Sequence, residues 1–430
     1  MEEILEMALS KAEEAEVYHE EFQNTTVSFQ ANRLKAVDCS VGEGTGLRVI
    51  KNGKIGFSSI TNAEDVKFLV NSALAASVFG QNACFKFPRA SEIPRVECFD
   101  FAVDSTGVEK MIEEGEEVVR IITQEFPSFQ CEVEINKTLS KTTILNSSGL
   151  NFTYKKSIYA FFVYAFSVKE GDFLGIEEEG VSCKYHEWTI SLVEKIIEKI
   201  KLAQKRVSID SGLYPVIFTS KAMPLVLSSL KRGINGKLVY KKVSPLSFKL
   251  NEPILSPEVT IVDDATFPYG RASSPIDGEG IPSRQNKVIE KGVLKNFLYD
   301  LQTAGLMQTQ TTANGLREYD CLPSPSTTNL IVSPGKVSFE EMVEDIREGV
   351  IVDQVIGAGQ SNVLMGEFSV NLDLGFKVVN GKIKGRLKNV MASGNAYDLL
   401  RNVVAIGKKP EFSGSIFTPP FYFKKVHIAG

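Results

Sequence analysis

The sequence of the first 206 residues repeats one order of local patterns: a helix, a run of strands and a second helix. Each run of strands alternates apolar with polar residues, which is typical of strands that follow one another in an antiparallel meander. A chain with this order is constrained to a mixed α+β fold. Residue identity between the two copies is weak, and the repeated order indicates an internal duplication.

The first copy is predicted to occupy about residues 1–80. Apolar residues recur at helical spacing over the first sixteen positions, and strand patterns rich in β-branched and aromatic residues follow. Asn52-Gly53 lies between two apolar runs, which is the strongest short-range signal for a β-hairpin. A second helix is predicted near Ala63 to Val78, capped by Thr61 or Asn62.

The second copy is predicted to occupy residues 105–206, after an irregular crossing segment from Phe79 to Asp104. A helix near Val108 to Gln124 precedes its strand patterns, and a helix within residues 187–205 follows them. The two copies are the subdomains of a predicted N-terminal α+β domain, residues 1–206.

The second half of the chain, residues 212–430, is predicted to be a separate C-terminal domain that is mostly β with minor helices. Short strand patterns dominate it, and Asn380-Gly381 predicts another hairpin. Two helices stand out. Ser338 caps the first, with Glu341 at the capping-box position, and Asn395 begins the second, predicted over residues 395–407.

The charge pattern argues against a nucleic-acid partner. The chain carries 48 lysines and arginines against 53 aspartates and glutamates, a net charge of −5, and no tract is strongly basic. No run of 18 apolar residues predicts a membrane span, and the acidic, helical N-terminus lacks the order of a signal peptide. We therefore expect a cytoplasmic protein with neither nucleic acid nor a membrane as partner.

The motifs of a self-contained hydrolase are missing from the sequence. His19, His186 and His427 lie far apart, and none belongs to an HExxH motif. No GxSxG motif nominates a serine nucleophile, although a serine or cysteine site assembled in space stays open. The six cysteines form no CxxC pair, which in a reducing compartment is typical of free buried thiols.

One loop region is rich in paired charges. Within about twenty residues, among prolines and glycines, it carries six charged side chains: Asp263, Asp264, Asp277, Glu279, Arg271 and Arg284. The four carboxylates, with Gln360 from a later small-residue loop, are our candidates for lining a cleft or an interface. The alternative is a structured loop held by Asp–Arg pairs and Asp-Gly turns, with the two arginines as partners.

Several motifs in these loops, in this order, resemble the TldD/PmbA family, some members of which are labelled modulators of DNA gyrase. They are the "DD…P…G…SS…D.EG" pattern that begins at Asp263, "GAGQSN" at Gly357 followed by "GEFSV", and "ASGNAYDLLRNVVAIG" at Ala392. The N-terminal "EGTGLRVIKNGKIGFSS" fits as well.

The resemblance implies two paralogous subunits, TldD and TldE (also called PmbA), which assemble as a heterodimeric cytoplasmic zinc metallopeptidase that trims unfolded peptides. In the family, the TldD-type subunit carries a helix with HExxxH. Its histidines bind zinc, its glutamate activates water, and a cysteine near the C-terminus completes the site. Zinc lowers the pKa of its bound water towards neutrality, and the carboxylate takes the proton.

This chain departs from the TldD pattern at both places. The segment "LSSLKRGING" holds Ser228, Ser229 and Gly233 where the helix with HExxxH is expected, and Ser413 and Gly414 lie about where the cysteine is expected. Serine hydroxyls and glycine are not the usual zinc donors. The resemblance therefore implies a TldE-type subunit with no catalytic residue and no metal ligand of its own, the zinc being held by the partner.

We expect the chain to pair with a TldD-type subunit as a heterodimer, or with itself as a homodimer, and to bind unfolded peptides by strand addition. One alternative is a stand-alone peptidase of the same family. Another is a homodimeric peptide-binding or regulatory protein that acts on a topoisomerase, as the family label suggests. A net charge of −5 over 430 residues is dilute for a DNA mimic.

Overall fold

The computed structural model describes residues 1–61 and 65–430, and it confirms the mixed α+β fold. The helices of the described residues are α1 (Glu2–Leu9), α2 (Val66–Ser77), α3 (Phe101–Ser105), α4 (Val108–Glu125), α5 (Trp188–Ala203), α6 (Met223–Gly233), α7 (Gly236–Tyr240), α8 (Leu301–Leu306), α9 (Phe339–Asp345) and α10 (Ala396–Arg401).

The strands of the N-terminal half are β1 (Glu14–Gln30), β2 (Arg33–Lys51), β3 (Lys54–Ile60), β4 (Gln130–Asn146), β5 (Asn151–Lys169), β6 (Asp172–Ser182) and β7 (Arg206–Val207). Those of the second half are β8 (Gly212–Phe218), β9 (Ile261–Asp264), β10 (Gln285–Glu290), β11 (Val293–Leu294), β12 (Gly315–Leu316), β13 (Ser324–Pro325), β14 (Leu330–Val332), β15 (Glu348–Ile356), β16 (Glu367–Val379), β17 (Lys382–Leu387), β18 (Met391–Asn395), β19 (Val403–Ile406), β20 (Glu411–Ser413), β21 (Ile416–Thr418) and β22 (Phe421–Ala429).

The two predicted meanders form one antiparallel sheet. Its strand order is β3-β2-β1-β4-β5-β6, so the first strands of the two copies pair at the centre and the copies extend outwards symmetrically. β1 and β4 have 17 residues each, and β2 and β5 have 19 each. This symmetry agrees with the repeated order of patterns in the sequence.

Both predicted Asn-Gly hairpins are confirmed. Lys51 pairs with Lys54 across Asn52-Gly53, and Val379 pairs with Lys382 across the second Asn-Gly turn. Both Asn52 and Gly53 have positive φ, 49° and 70°, which is the geometry of a type I′ turn. Asparagine and glycine tolerate this region best, and so the local sequence fixes these turns.

The helices of the N-terminal half cover one face of the sheet at its two ends. At one end, α1 and α2 bury a cluster that includes Val17, Leu47 and Leu69. At the other end, α4 and α5 bury a larger cluster around Val27 and Phe161. The larger cluster also takes in apolar residues of β8, β15 and β22, so the two halves of the chain share one core.

The second half contains two larger sheets. In the first, β15, β8, β22, β18 and β16 pair in sequence, and β16 pairs again with β15, which closes the strands into a ring. In the second, the order is β11-β10-β9-β14-β21-β20. The helix α6 buries Leu227, Leu230 and their neighbours in the core between these sheets.

The first and last predicted helices are shorter than the sequence suggested. Helix α1 ends at Leu9, and β1 begins at Glu14, because these residues pair with β2. The last predicted helix, over residues 395–407, is α10, and it ends at Arg401. Residues Val403–Ile406 do not continue the helix but form β19, which pairs with β22. The β-branched residues there favour a strand.

The helices near 108–124 and within 187–205 are confirmed as α4 and α5, and α9 has the predicted capping box of Ser338 and Glu341. Helix α2 begins at Val66, while the predicted start at Ala63 and the Asn62 cap lie outside the described residues. Within residues 1–61 and 65–430, no helix combines the length and the apolar character that crossing a membrane requires.

Candidate functional site

The first pair of predicted site carboxylates lies at the end of β9. Asp263 is fully buried, and its carboxylate accepts hydrogen bonds from the Thr328 backbone N–H at 2.6 Å and from the Asn314 side-chain amide at 2.6 Å. Burial raises the pKa of Asp263 to about 6. Asp263 therefore holds two later loops against β9.

Asp264 has a local role. One of its carboxylate oxygens accepts hydrogen bonds from the Thr266 N–H at 2.8 Å and hydroxyl at 2.7 Å, and the other accepts from the Gln285 side-chain amide at 2.8 Å. A carboxylate that caps the turn two residues later is an Asx turn. Asp264 therefore fits the alternative prediction, in which these carboxylates hold a structured loop instead of lining a cleft.

Asp277 also organises backbone. Its Oδ1 accepts from the N–H groups of Glu279 and Ile281, both at 2.9 Å, and its Oδ2 accepts from the Gly315 N–H at 3.0 Å. Burial and the neighbouring Glu279 raise the pKa of Asp277 above its usual range. Asp277 also lines a cavity.

That cavity, of about 210 Å³, lies between the sheet of the N-terminal half and the loops of the second half. Its lining includes Tyr18 and Tyr154 from the sheet, Asp277 and Thr328 from the loops, and the charged side chains Glu20 and Lys156. We call it the junction cavity.

Glu279 belongs to a buried ion-pair cluster that joins the two halves. Arg48 Nη1 donates to Glu279 at 2.7 Å, Arg48 Nη2 lies 3.0 Å from Glu16, and Arg317 Nη1 donates to Glu16 at 2.7 Å. We call these four residues the inner network. All four side chains are at most 2% exposed.

Aromatic rings surround the inner network. The Arg48 guanidinium lies 4.8 Å and 4.9 Å from the ring centres of Phe85 and Phe87, and that of Arg317 lies 4.7 Å from Tyr18. A guanidinium is more weakly hydrated than an ammonium and can stack on aromatic faces, which suits arginine to a site with almost no solvent exposure. These contacts make the inner network a tie between β1, β2 and the second half.

The remaining predicted residues lie outside this cluster. Arg271 and Arg284 are exposed, and the guanidinium of Arg284 donates to the Thr311 carbonyl, so the ion partner of Glu279 is Arg48 and neither predicted arginine. Gln360 is exposed in the loop after β15 and does not line the junction cavity. The structure therefore brings together Asp277 and Glu279, and leaves Gln360 apart.

A second charged cluster lies where α5 and β6 meet the second half. Lys199 pairs with Glu178 and lies 2.6 Å from Asp353, and Lys221 lies 3.7 Å from Glu178. We call these four residues the outer network. Burial alone would lower the pKa of Lys199, but Asp353 and Glu178 outweigh it and raise that pKa. Burial lowers the pKa of Lys221.

Two adjoining cavities, of about 610 and 380 Å³, meet at Glu178 and Lys221 of the outer network. The larger one, which we call the aromatic cavity, is lined by Trp188, Phe267, Phe412 and Phe417. The rings of Phe412 and Phe417 are 4.7 Å apart between centres. The lining also carries six charged side chains: Glu178, Glu179, Lys184, Lys195, Lys221 and Glu411. Aromatic walls together with polar groups that can orient a ligand have the character of a binding cleft.

The segments that should carry a metal in a TldD-type chain have other contacts here. On α6, the Ser228 hydroxyl donates to the Leu225 carbonyl at 2.8 Å, and the Ser229 carbonyl accepts from the Tyr397 hydroxyl at 2.9 Å. Ser413 lines the aromatic cavity, and the Gly414 N–H donates to Glu179 at 3.0 Å.

Zinc does not fit the residues of α6. Its usual donors are thiolate, imidazole and carboxylate, and Ser228, Ser229 and Gly233 supply none of them. Within residues 1–61 and 65–430, no three histidine, cysteine, aspartate or glutamate side chains are grouped as metal ligands.

Comparison with protein families identifies the second half. The family model described as the PmbA/TldA metallopeptidase C-terminal domain matches residues 211–430, which is half of the chain. The chain belongs to the PmbA/TldD family. The model for domain 1 of the same metallopeptidases matches residues 15–77, the first strands of the N-terminal sheet.

The PmbA/TldD fold extends over the whole chain. The crystal structure of TldE from Thermococcus kodakarensis superposes with a TM-score of 0.93 and 23% identity, over 100% of both chains. An uncharacterised protein of Methanocaldococcus jannaschii is 26% identical over 427 residues, covering 99% of this chain and 98% of the relative.

A metalloprotease TldD homologue of Haemophilus influenzae is 28% identical over 237 residues, which are 52% of this chain. The match covers 49% of that relative, so it spans about half of its length.

The sequence analysis missed most of the residues of the two networks. It nominated Glu279, but not Arg48, Glu16 or Arg317, and it nominated no residue of the outer network. Arg48 lies in the strand pattern "TGLRVIK", where every neighbour from Thr45 to Ile50 is buried. An arginine inside a continuous buried strand is the one signal that could have indicated an ion pair, because buried charges are normally paired.

Proposed function

We propose that this chain is the non-catalytic, TldE-type subunit of a cytoplasmic TldD/TldE zinc metallopeptidase, and that a TldD-type partner holds the zinc. The observation that carries the proposal is what the side chains of α6 contact. The helix is present, buried and well packed, but its side chains serve packing and helix contacts instead of metal ligation.

The packing around Gly233 supports this further. A Cβ atom at position 233 would lie 2.4 Å from the Tyr397 hydroxyl and 3.0 Å from Leu246. The imidazole of a histidine at this position would therefore displace Tyr397, which also bonds to α6. The helix is built to pack at this position without a side chain.

We propose that the aromatic cavity contributes to peptide binding. Segments of both halves form it, with aromatic walls for apolar side chains and with Lys221 and Glu178 for polar groups of the peptide. Extended peptides are held largely through backbone hydrogen bonds, and pockets of this kind add contacts to alternate side chains.

Reconstitution tests the subunit role. The chain is mixed with a paralogous subunit that carries HExxxH, and cleavage of an unfolded peptide is followed by mass spectrometry. We expect cleavage by the mixture, at least tenfold slower cleavage by the paralogue alone, and none by this chain alone or after chelation. Undiminished cleavage by the paralogue alone would contradict an obligatory role.

Metal content gives an independent test. By elemental analysis of the purified chain alone, we expect zinc far below one atom per molecule, and about one atom per pair after mixing with the partner. One tightly held zinc per molecule of the isolated chain would instead identify it as a peptidase in its own right.

The peptide role has its own reporter, because Trp188 is the only tryptophan of the chain and lines the aromatic cavity. Adding an unfolded peptide should shift its fluorescence, and Phe412→Ala should weaken this binding about tenfold. Phe101→Ala, at an exposed aromatic residue outside the cavity, is the matched control. Unchanged fluorescence at peptide concentrations that saturate cleavage would remove the aromatic cavity from the peptide path and leave the subunit role standing.

A further inference from the structure

The junction cavity lies between two walls that come from different halves of the chain. On the sheet wall, Glu20 of β1 lies opposite Thr142 of β4, which lies opposite Tyr154 of β5. Directly opposed residues of antiparallel strands point to the same face, so these three side chains line the cavity side by side. The other wall consists of loops of the second half that carry Asp277 and Ser283.

The volume of the junction cavity limits what can occupy it. The cavity measures about 210 Å³. At about 30 Å³ for each water-sized group, it holds about seven such groups. This space suits an organic molecule with a few non-hydrogen atoms, whereas an extended peptide of several residues is too large for it. The volume therefore selects a small molecule.

Two opposite charges line the cavity without pairing with each other. Glu20 and Lys156 are both partly buried, and among the described residues neither side chain has a salt-bridge or hydrogen-bond partner. Burial and the charge of Glu318 raise the pKa of Glu20, and Lys156 acts from a distance to lower it. The guanidinium of Arg317 is not a further cation for the cavity, because its side chain is 0% exposed and donates to Glu16.

A second carboxylate lies near Glu20. Burial raises the pKa of the Tyr154 hydroxyl, and the charges of Glu20 and Asp277 raise it further, so both carboxylates act on the same phenol. Oδ2 of Asp277 accepts one hydrogen bond, from the Gly315 N–H at 3.0 Å, and a carboxylate oxygen has two lone pairs. This end of the cavity therefore favours a positively charged donor.

Two hydroxyl groups of the lining have no partner among the described residues. Ser283 Oγ and Thr327 Oγ1 are buried without a hydrogen bond, and Ser283 is only 6% exposed. Buried polar groups are normally hydrogen-bonded, because an unpaired one costs free energy. Small apolar side chains complete the lining: Ala265, Ala272, Ile276 and Ala313. The cavity thus offers hydrogen bonds to a polar ligand and an apolar surface to a short hydrocarbon group.

We propose that the junction cavity binds a free α-amino acid with a small apolar side chain, such as L-alanine. Its ammonium group pairs with Glu20 and Asp277, and its carboxylate pairs with Lys156 and accepts hydrogen bonds from the unpartnered hydroxyls. Its methyl group contacts the alanines of the lining. A ligand with both charges is selected because a ligand with one charge leaves either Lys156 or Glu20 without a partner in a partly buried site.

This site is independent of the proposed peptidase role. The described linings of the junction cavity and of the aromatic cavity share no residue, and α6 contributes to neither. A chain that binds L-alanine but supports no cleavage by a paralogue contradicts only the subunit role. A chain that supports cleavage but does not bind L-alanine contradicts only the amino-acid site.

Calorimetric titration of the full chain at pH 7 tests the ligand class. L-Alanine should bind as one molecule per chain with a dissociation constant below about 1 mM, which a ligand of this size can reach. L-Alaninamide lacks the negative charge and propionate lacks the positive charge, so each should bind at least tenfold more weakly. Equal binding of either would overturn the requirement for two charges.

Two further results of this titration would also overturn the proposal. One is the absence of binding at about 10 mM L-alanine, which corresponds to an affinity too low for a built site. The other is tighter binding of trialanine than of L-alanine, since that would make the junction cavity part of a peptide path.

Charge variants assign the two ends of the ligand. Lys156→Met should weaken L-alanine binding at least tenfold but should not weaken binding of L-alaninamide, which has no carboxylate. Glu20→Gln should weaken L-alanine binding at least tenfold but should not weaken binding of propionate, which has no ammonium group. Lys155→Met is the matched control, because Lys155 is exposed and lies outside the described lining of the cavity.

The pattern across the three ligands separates recognition from folding. A folding defect weakens all three ligands alike, whereas loss of one charge in the site weakens only the ligands that use it. Unchanged L-alanine binding in both charge variants, or an equal loss in Lys155→Met, would overturn the assignment of Lys156 and Glu20.

The unpartnered hydroxyl gives a separate test. Ser283→Ala should weaken L-alanine binding about tenfold, since it removes one hydrogen bond to a charged group. The thermal midpoint of the ligand-free chain, followed by circular dichroism, should stay the same or rise, because this hydroxyl has no partner there to lose. A lower midpoint with unchanged L-alanine binding would contradict the role of Ser283 in the site.

Discussion

The inner and outer networks both join the N-terminal half to the second half with two basic and two acidic side chains, but they differ in their contact with water. The side chains of the inner network are at most 2% exposed, whereas Lys199 and Lys221 of the outer network are 19% and 20% exposed. The outer network forms part of the lining of two cavities, and the inner network is enclosed by aromatic rings.

The balance between burial and ion pairing differs from residue to residue within each network. Burial outweighs the paired charges in the pKa of Glu16 and of Lys221, and the paired charges outweigh burial in the pKa of Arg48. In the inner network, burial raises the pKa of Glu16 although Arg48 and Arg317 oppose it. In the outer network, burial also acts to raise the pKa of Asp353, but Lys199 and Lys221 outweigh burial and lower it. Exposure and the cavities separate the two networks. The inner network is a buried structural connection between the two halves, whereas the outer network is the charged floor of a cleft that solvent reaches.

The largest effect is expected at the inner network. Arg48→Met leaves the Glu279 carboxylate buried without its cation, which typically costs about 3–5 kcal/mol. Urea unfolding followed by circular dichroism should show a clearly lower midpoint than the unchanged chain. Arg120→Met, which breaks an exposed pair with Glu117 on α4, is the control and should leave the midpoint in place.

A smaller loss is expected from Lys199→Met in the outer network. It removes the cation between Glu178 and Asp353, but Lys221 and water from the cavities remain near Glu178, so we expect about 2 kcal/mol. The same urea experiment measures it. A loss equal to that of Arg48→Met would remove the distinction between the two networks.

The pH dependence of stability tests the protonation of Asp263, a fully buried carboxyl group of the second half. Its pKa is about 6 in the folded chain against 3.8 for the ordinary group, so the folded chain holds more protons between these values. Stability should therefore fall as pH rises from about 4 to 6, by about 1 kcal/mol per pH unit from this residue. Asp263→Asn should flatten that slope, and an unchanged slope would contradict the assignment.

The smallest effect is expected from Lys221→Met. Burial already disfavours the charge of Lys221, and Lys199 remains to pair Glu178 and Asp353, so we expect a loss below about 1 kcal/mol. Peptide binding is measured through Trp188 fluorescence. The loss in the free energy of peptide binding should exceed the loss in the free energy of unfolding. A large loss of stability would show that Lys221, like Arg48, is a structural tie.

The sequence by itself determined the parts of this fold that depend on neighbouring residues. Asn52-Gly53 fixed a turn with positive φ at both positions, and Ser338 with Glu341 fixed the start of α9. The residue types at Ser228, Ser229 and Gly233 of α6, none of which is a usual zinc donor, are likewise local information that the sequence contains.

Tertiary structure alone decided the rest. Arg48 and Glu279 are 231 positions apart, and their pairing follows from how two sheets pack and not from any local preference. The same holds for residues 403–406, which joined β22 as a strand. Long-range packing outweighs local propensity because the buried area and the paired charges of the junction exceed the small energies that separate helix from strand.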